Sequence, residues 1–239
     1  MKYWILALLT LCGNALADEI HVLSGGAARG FVEPLAAKYG AHKVVVEFQT
    51  MGHVQKTMAS ADARKYDFLI VTPEVAEKLK LEAKPLARVG IGVAVHESAP
   101  LPDISTPEAL KKTLLAAKSV VYINPETGTS GKHVVEMFRK LNILEELKAK
   151  SVLVDSGYAV APVGEGKVEL GIHQISEILP VKGVKLVGPL PAEFQRYTVY
   201  AGAVAPGTQK AAAARSFLQY LSSPEARAGL AKAGYTAPE

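Results

Sequence analysis

Short apolar strands and amphipathic helices alternate along this chain, and that alternation restricts the fold more than any other feature. Strand-like runs fall at 20–23, 43–48, 66–71, 91–95, 119–123, 152–154, 168–172 and 184–187. Most are rich in Val and Ile and nearly continuous in apolar character, as expected for strands covered on both faces. Helical segments separate them. Thr72-Pro73-Glu74, Thr106-Pro107-Glu108 and Ser223-Pro224-Glu225 each supply a hydroxyl N-cap, proline at the first helical position and an acid in the first turn. Gly234 suits a helix C-terminal cap. The pattern predicts an α/β fold with mostly parallel sheets flanked by helices.

Two stretches stand apart. Arg88-Val89-Gly90-Ile91-Gly92-Val93 and Tyr197-Thr198-Val199-Tyr200-Ala201-Gly202 are extended, apolar and punctuated by glycine. They read as two hinge crossings. Residues 18–87 and 202–239 would form one discontinuous lobe, and 88–201 a second lobe with a crossing strand at each end. Two such crossings let lobes close on a ligand. A single continuous sheet is the other arrangement the pattern allows.

The first residues read as a cleavable export signal. Lys2 gives the positive n-region, Trp4 to Cys12 a short apolar core, and Ala15-Leu16-Ala17 a small-x-small cleavage site, so 1–17 would be removed. The apolar run is too short to span a bilayer. Leu11 is too bulky for a good lipoprotein signal at Cys12. Cys12 is the chain's single cysteine, so the mature protein would have no disulfide and would fold on its core, in the periplasm. With 27 basic and 23 acidic residues the formal charge is +4. That mild excess favours anions over cations, and the absence of a dense basic run argues against nucleic acid. The six histidines, at 21, 42, 53, 96, 133 and 173, lack close metal-ligand spacing, so neither a metal nor a cofactor is expected.

Small hydroxyl and glycine residues recur where a strand hands over to a helix. Free N–H groups and the positive end of the helix dipole converge there, which suits an anion. The first such cradle is Ser24-Gly25-Gly26-Ala27-Ala28-Arg29-Gly30: Ser24 offers a hydroxyl, Gly25 close backbone approach, and Arg29 a positive fork for a carboxylate. Pro34 predicts a short first turn or a kink in the helix that follows. The second is Thr50-Met51-Gly52-His53, with Thr50 as donor. The third is Thr127-Gly128-Thr129-Ser130-Gly131, before a helix whose face is Val134, Met137, Phe138 and Leu141. A fourth candidate, His173-Gln174, ends the strand 168–172. Alternation would send the two side chains to opposite faces, leaving one for the cleft. Each of these is also compatible with an ordinary cap or strand end.

The third cradle matches neither of two enzyme motifs. A P-loop needs G-x-x-x-x-G-K-[ST], but Glu126 replaces the first glycine and His133 the metal-binding hydroxyl. A nucleophile elbow needs G-x-S-x-G, and Lys132 occupies the last position.

In order, the segments Leu23-Ser24-Gly25-Gly26-Ala27-Ala28, Phe48-Gln49-Thr50-Met51-Gly52, Tyr66-Asp67-Phe68-Leu69-Ile70-Val71, Gly128-Thr129-Ser130-Gly131, Gly166-Lys167-Val168-Glu169-Leu170-Gly171-Ile172 and Phe217-Leu218-Gln219-Tyr220-Leu221-Ser222-Ser223-Pro224-Glu225-Ala226 resemble the molybdate-binding periplasmic proteins of ABC importers. The resemblance covers nearly the whole mature chain. It implies a two-lobed class II periplasmic binding protein fold, a ligand between the lobes and a membrane permease as partner. Ser24 looks like the family's first hydroxyl ligand, and Thr50, or the Met51-Gly52 backbone, like its second. His173-Gln174 stand where the molybdate binders commonly carry a tyrosine donor, and Arg29 flanks the first cradle. The segments Pro102-Asp103-Ile104-Ser105-Thr106-Pro107, Ile175-Ser176-Glu177-Ile178-Leu179 and Gly188-Pro189-Leu190-Pro191 resemble a divergent branch of this family, and the departures bring small organic carboxylates in beside molybdate.

Micromolar affinity needs about 8 kcal/mol. Neutral hydrogen bonds contribute roughly 0.5–1.5 kcal/mol and charged ones roughly 1.5–3. Roughly four to six donors must therefore converge, more than one cradle supplies. The expectation is a monomeric binding protein that captures a small anion for an ABC importer and does no chemistry. The alternatives are an exported hydrolase or phosphate-processing enzyme, and a ligand sensor for a membrane receptor.

Overall fold

A computed structural model describes residues 18–238. The expected signal segment, 1–17, lies outside the described residues. No helix among the described residues is long and apolar enough to cross a membrane.

The chain opens with β1 (Glu19–Gly25), a short 3-10 turn, α1 (Arg29–Lys38), β2 (Lys43–Gln49), α2 (Met51–Met58), β3 (Phe68–Val71) and α3 (Pro73–Lys78). A long strand, β4 (Lys84–His96), leads to α4 (Pro107–Ala116), β5 (Val120–Ile123), α5 (Thr129–Lys140), α6 (Leu144–Lys148) and β6 (Ser151–Val154). Then come α7 (Ala161–Gly164), β7 (Leu170–Gln174), α8 (Ile175–Ile178) and β8 (Val184–Pro189). The chain returns through β9 (Tyr197–Val204) and ends with α9 (Ala211–Leu221), α10 (Pro224–Ala228) and β10 (Tyr235–Thr236).

The strand order is β2-β1-β3-β9-β4-β7-β5-β6, with β8 and β10 also paired to β4. β1 runs parallel to β2 and β3, and β5 parallel to β6 and β7. The crossing strands add the antiparallel pairings: β9 with β3 and β4, and β4 with β7 and β8. β4 serves both sheets. Its residues Lys84 to Gly90 pair with β9 in one, while Ile91 to Val95 pair with β7 in the other. The strands are thus continuous in pairing, yet the hydrophobic core divides. One cluster gathers Ile20, Phe68, Ile70 and Phe217, and another Ile91, Leu110, Val120, Phe138 and Ile172. This is the α/β architecture expected from the alternation, and the crossings β4 and β9 divide it into two lobes, the first of the two arrangements the pattern allowed.

β5 shows why its sequence is apolar throughout. Val120 and Tyr122 face the α5 core, and Val121 faces a smaller cluster with Val160, Val163 and Ile178. The edge strands differ. In β2 exposure alternates, and in β6 Val152 and Leu153 are 38% and 49% exposed, because each edge strand lacks a neighbour on one side. Thr106 and Ser223 cap their helices by accepting N–H bonds from Ala109 and Ala226. Thr72 takes the N-cap position of α3, but its buried hydroxyl has no partner. Gly234, in the left-handed region at φ 82°, terminates the last 3-10 turn. α1 begins after a separate 3-10 turn and runs on through Pro34.

Candidate functional site

α5 begins hard against β5. A Cβ at Gly131 would lie 2.0 Å from the carbonyl oxygen of Ile123, and one at Gly128 would lie 2.3 Å from the Ile123 side chain. Both glycines are therefore demanded by close approach. Gly128 is the N-cap and makes no side-chain cap bond. The first-turn N–H groups of α5 have no intrahelical acceptors, which leaves them available to a ligand. From the other lobe, α2 presents its own start, with Thr50 as N-cap.

The two starts border one cavity of about 270 Å³. Arg29, Thr50, Met51, Gly128, Thr129, Ser130, His173 and Gln174 all line it. Residues anticipated from four separate stretches of sequence therefore come together. Arg29 is fixed twice: its guanidinium stacks 4.0 Å from the Phe48 ring centroid, and Nη1 donates to Glu33 Oε1 at 2.6 Å. The Thr50 hydroxyl hydrogen-bonds His53 Nδ1 at 2.8 Å. A second, outer depression shares Phe48, Gln49, Thr50 and Ser156 with the cavity and brings Lys56 to its edge.

Three anticipated residues are not on the wall. Ser24 is fully buried and its hydroxyl donates to the Gly25 carbonyl at 3.1 Å, turned into its own backbone. Gly25 lies beneath the wall, where a Cβ would lie 2.5 Å from Met51 and 2.6 Å from Tyr200. Gly52 faces the opposite lobe, its N–H donating to the Thr127 carbonyl at 3.4 Å. Ser176 adds a second interlobe bond, donating to the Ala27 carbonyl at 2.9 Å.

His173 and Gln174 were expected on opposite sides, yet both border the cavity. β7 ends at Gln174, which is also the N-cap of α8, so the chain turns there instead of continuing the strand. The α-helical turn also brings Glu177 beneath His173, with Nε2 and Oε2 3.1 Å apart. Both side chains are buried, at 2% and 9% exposed. Burial pushes the Glu177 carboxyl up to about 8, although nearby Arg29 opposes the rise. Burial likewise pushes His173 down to about 4, against a weak contact from Nε2 to the Gly157 carbonyl. At neutral pH the contact therefore joins a neutral imidazole to a neutral carboxylic acid. Two buried atoms of this corner, His173 Nδ1 and Gln174 Nε2, have no protein partner in good hydrogen-bond geometry, although the Tyr200 hydroxyl neighbours the Gln174 amide.

Sequence reasoning missed Glu177, Tyr200 and the Ser156-Gly157-Tyr158 loop, all on the wall. The loop was detectable: it follows a strand and has the same hydroxyl-glycine character as the other cradles, with Gly157 at φ 79°. Glu177 could be found only once α8 was known, because its i,i+4 spacing from His173 acquires meaning only on a helix. Among the described residues no group of three or more His, Cys, Asp or Glu side chains is arranged to hold a metal.

A cavity between two lobes that two crossing strands join, bordered by helix starts from each lobe, is the arrangement of the class II periplasmic binding protein fold. The chain belongs to the bacterial extracellular solute-binding protein family, whose pattern matches residues 20–236. Similar over nearly its full length is an aconitate isomerase from Pseudomonas sp, 28% identical across 96% of this chain and 92% of that protein. The molybdate-binding protein ModA of Escherichia coli K12 is 25% identical across 95% of this chain and 93% of that one. In fold, the chain is similar to the Azotobacter vinelandii periplasmic molybdate-binding protein, at TM-score 0.72 and 20% identity, covering 92% of this chain and all of that one. The resemblance carried by the ordered sequence segments thus holds at the level of family and fold.

Proposed function

We propose that this protein captures a small anion in the periplasm, a molybdate-like oxyanion or a small organic carboxylate, and delivers it to an ABC importer without turnover. The observation that carries this reading is the meeting of the α2 and α5 starts with Arg29 at one cavity. N–H dipoles and a guanidinium both favour negative charge. Thr129, Ser130 and Gly128 would serve from residues 88–201, the proposed second lobe. Thr50, Met51 and Arg29 would serve from 18–87, which with 202–239 makes the first. His173 and Gln174 complete the ligand set, while Ser24, Gly25 and Gly52 support its backbone. Removal of 1–17 would leave a soluble monomer whose partner is an inner-membrane permease.

A thermal-shift screen of the mature protein tests this with molybdate, tungstate, sulfate, phosphate and di- and tricarboxylates. A ligand at a hundred times its Kd stabilises by about 2.7 kcal/mol, so at least one anion should raise Tm clearly. A response confined to neutral sugars or cations contradicts the reading.

The His173–Glu177 contact favours a second reading, prototropic isomerisation, in keeping with the isomerase relative. The neutral imidazole nitrogen of His173 and the Glu177 acid, beside Arg29, could take a proton from one carbon of an unsaturated carboxylate and return one to another, with no co-reactant. Incubation with cis-aconitate, followed by proton NMR, separates the two. The binding reading expects no trans isomer above the uncatalysed rate; accumulation that disappears in Glu177→Gln would establish the isomerase.

A further inference from the structure

The cavity is donor-rich on most sides but not at one corner. Arg29, the first-turn N–H groups of α5, those of α2 other than Gly52, and the hydroxyls of Thr129 and Ser130 all offer hydrogens to an anion. His173 and Glu177 border the same space. His173 Nε2 faces two oxygens, Glu177 Oε2 at 3.1 Å and the Gly157 carbonyl at 3.4 Å. The ring proton belongs on that nitrogen, which leaves Nδ1 with an unused lone pair. It is sealed from solvent and has no protein partner. Glu177 turns its other oxygen, Oε1, toward the first cradle, where a Cβ on Gly26 would lie 3.2 Å away. The neutral Glu177 acid both accepts and donates there, whereas His173 Nδ1 only accepts, so a ligand hydroxyl, itself donor and acceptor, matches the pair.

We infer that the ligand is a small hydroxycarboxylate, whose carboxylates meet Arg29 and the helix starts and whose hydroxyl donates into the His173–Glu177 corner. This names the ligand class of the anion site and rests on the anion-binding reading. A molybdate or sulfate ion has only acceptors at neutral pH, so it could accept the Glu177 proton but would set its own lone pairs against that of His173 Nδ1. A hydroxyl supplies the missing hydrogen, and the ligand's carboxylate oxygen supplies an acceptor for Gln174 Nε2, the other buried atom without a partner. Size agrees. The cavity measures about 270 Å³. That space suits a branched or extended organic acid better than a single tetrahedral ion.

Matched ligands test the inference by isothermal calorimetry at pH 7. Malate is compared with succinate, and citrate with tricarballylate; each pair differs by one hydroxyl. Molybdate, sulfate and phosphate complete the series. At least one hydroxylated member should bind tenfold or more tighter than its deoxy partner and tighter than the three inorganic ions. Glu177→Met and His173→Phe, each checked for cooperative melting, should shrink that ratio below threefold. Equal affinity within both pairs, or tighter binding of an inorganic ion, overturns the hydroxycarboxylate assignment and leaves anion capture standing. If no anion in the series binds, the anion reading fails and the assignment falls with it. The wild-type comparison decides the matter even if neither variant folds.

Discussion

At the start of α5 the groups facing the cavity are hydroxyls and backbone N–H donors, held in position by glycines pressed onto β5. At the β7–α8 junction of the same lobe they are an imidazole and a carboxyl, both buried. The first wall does not titrate near neutrality. The second was removed from water at a cost that depends on pH. Its presence in a binding cavity implies a return in ligand selection, since replacing a buried pair by apolar residues is often neutral or stabilising. Rigid donors make an anion site; titratable groups decide which anion it accepts.

The largest expected effect lies at the buried corner. Glu177 titrates near 8 in the fold against an ordinary 4.5. As pH rises from 4.5 the unfolded chain releases this proton and the folded protein retains it, so stability falls until about pH 8 and is level above. Glu177→Gln should therefore match the wild type near pH 4.5 and exceed it by up to about 5 kcal/mol at pH 8. Urea melts at pH 4.5, 6 and 8 measure the gap. A constant gap would mean that the carboxyl is ionised in the fold.

His173 runs the other way. Its folded value, about 4, lies below the ordinary 6.5. The penalty is absent above pH 6.5 and complete below pH 4, because only the unfolded chain takes up the proton between them. His173→Gln should remove up to about 3 kcal/mol of acid destabilisation, read from the same melts.

Smaller effects belong to the donors and are read in affinity. Arg29→Met should weaken a bound carboxylate by about ten- to a hundredfold, the worth of a charged hydrogen bond of roughly 1.5–3 kcal/mol. Ser130→Ala should cost only about two- to tenfold, as for one neutral bond. Calorimetry that reversed this order would place the site's chief interaction in the α5 wall.

The fold was largely legible in the sequence because burial on both faces leaves a plain apolar signature, as in Val120 to Ile123. The crossings were legible too, since glycine-punctuated apolar runs at 88–93 and 197–202 proved to be parts of β4 and β9. The site was legible only where strand-to-helix transitions mark it. Thr50, Thr129 and Ser130 carry that mark. Ser24 carries it as well, yet its hydroxyl turns inward to the Gly25 carbonyl, a rotamer choice that local sequence does not encode. Glu177 carries no mark, because its role arises from a turn of α8 and from contact with the opposite lobe at Gly26.

The central claim is that residues of both lobes assemble a site for a small anion. Calorimetric titration of the wild type and Arg29→Met with the tightest anion from the thermal-shift screen tests it most directly. The account predicts one ligand per chain and an affinity loss of at least tenfold in the variant. Unchanged affinity in Arg29→Met, or heat of binding from a neutral sugar with none from any anion, would contradict it.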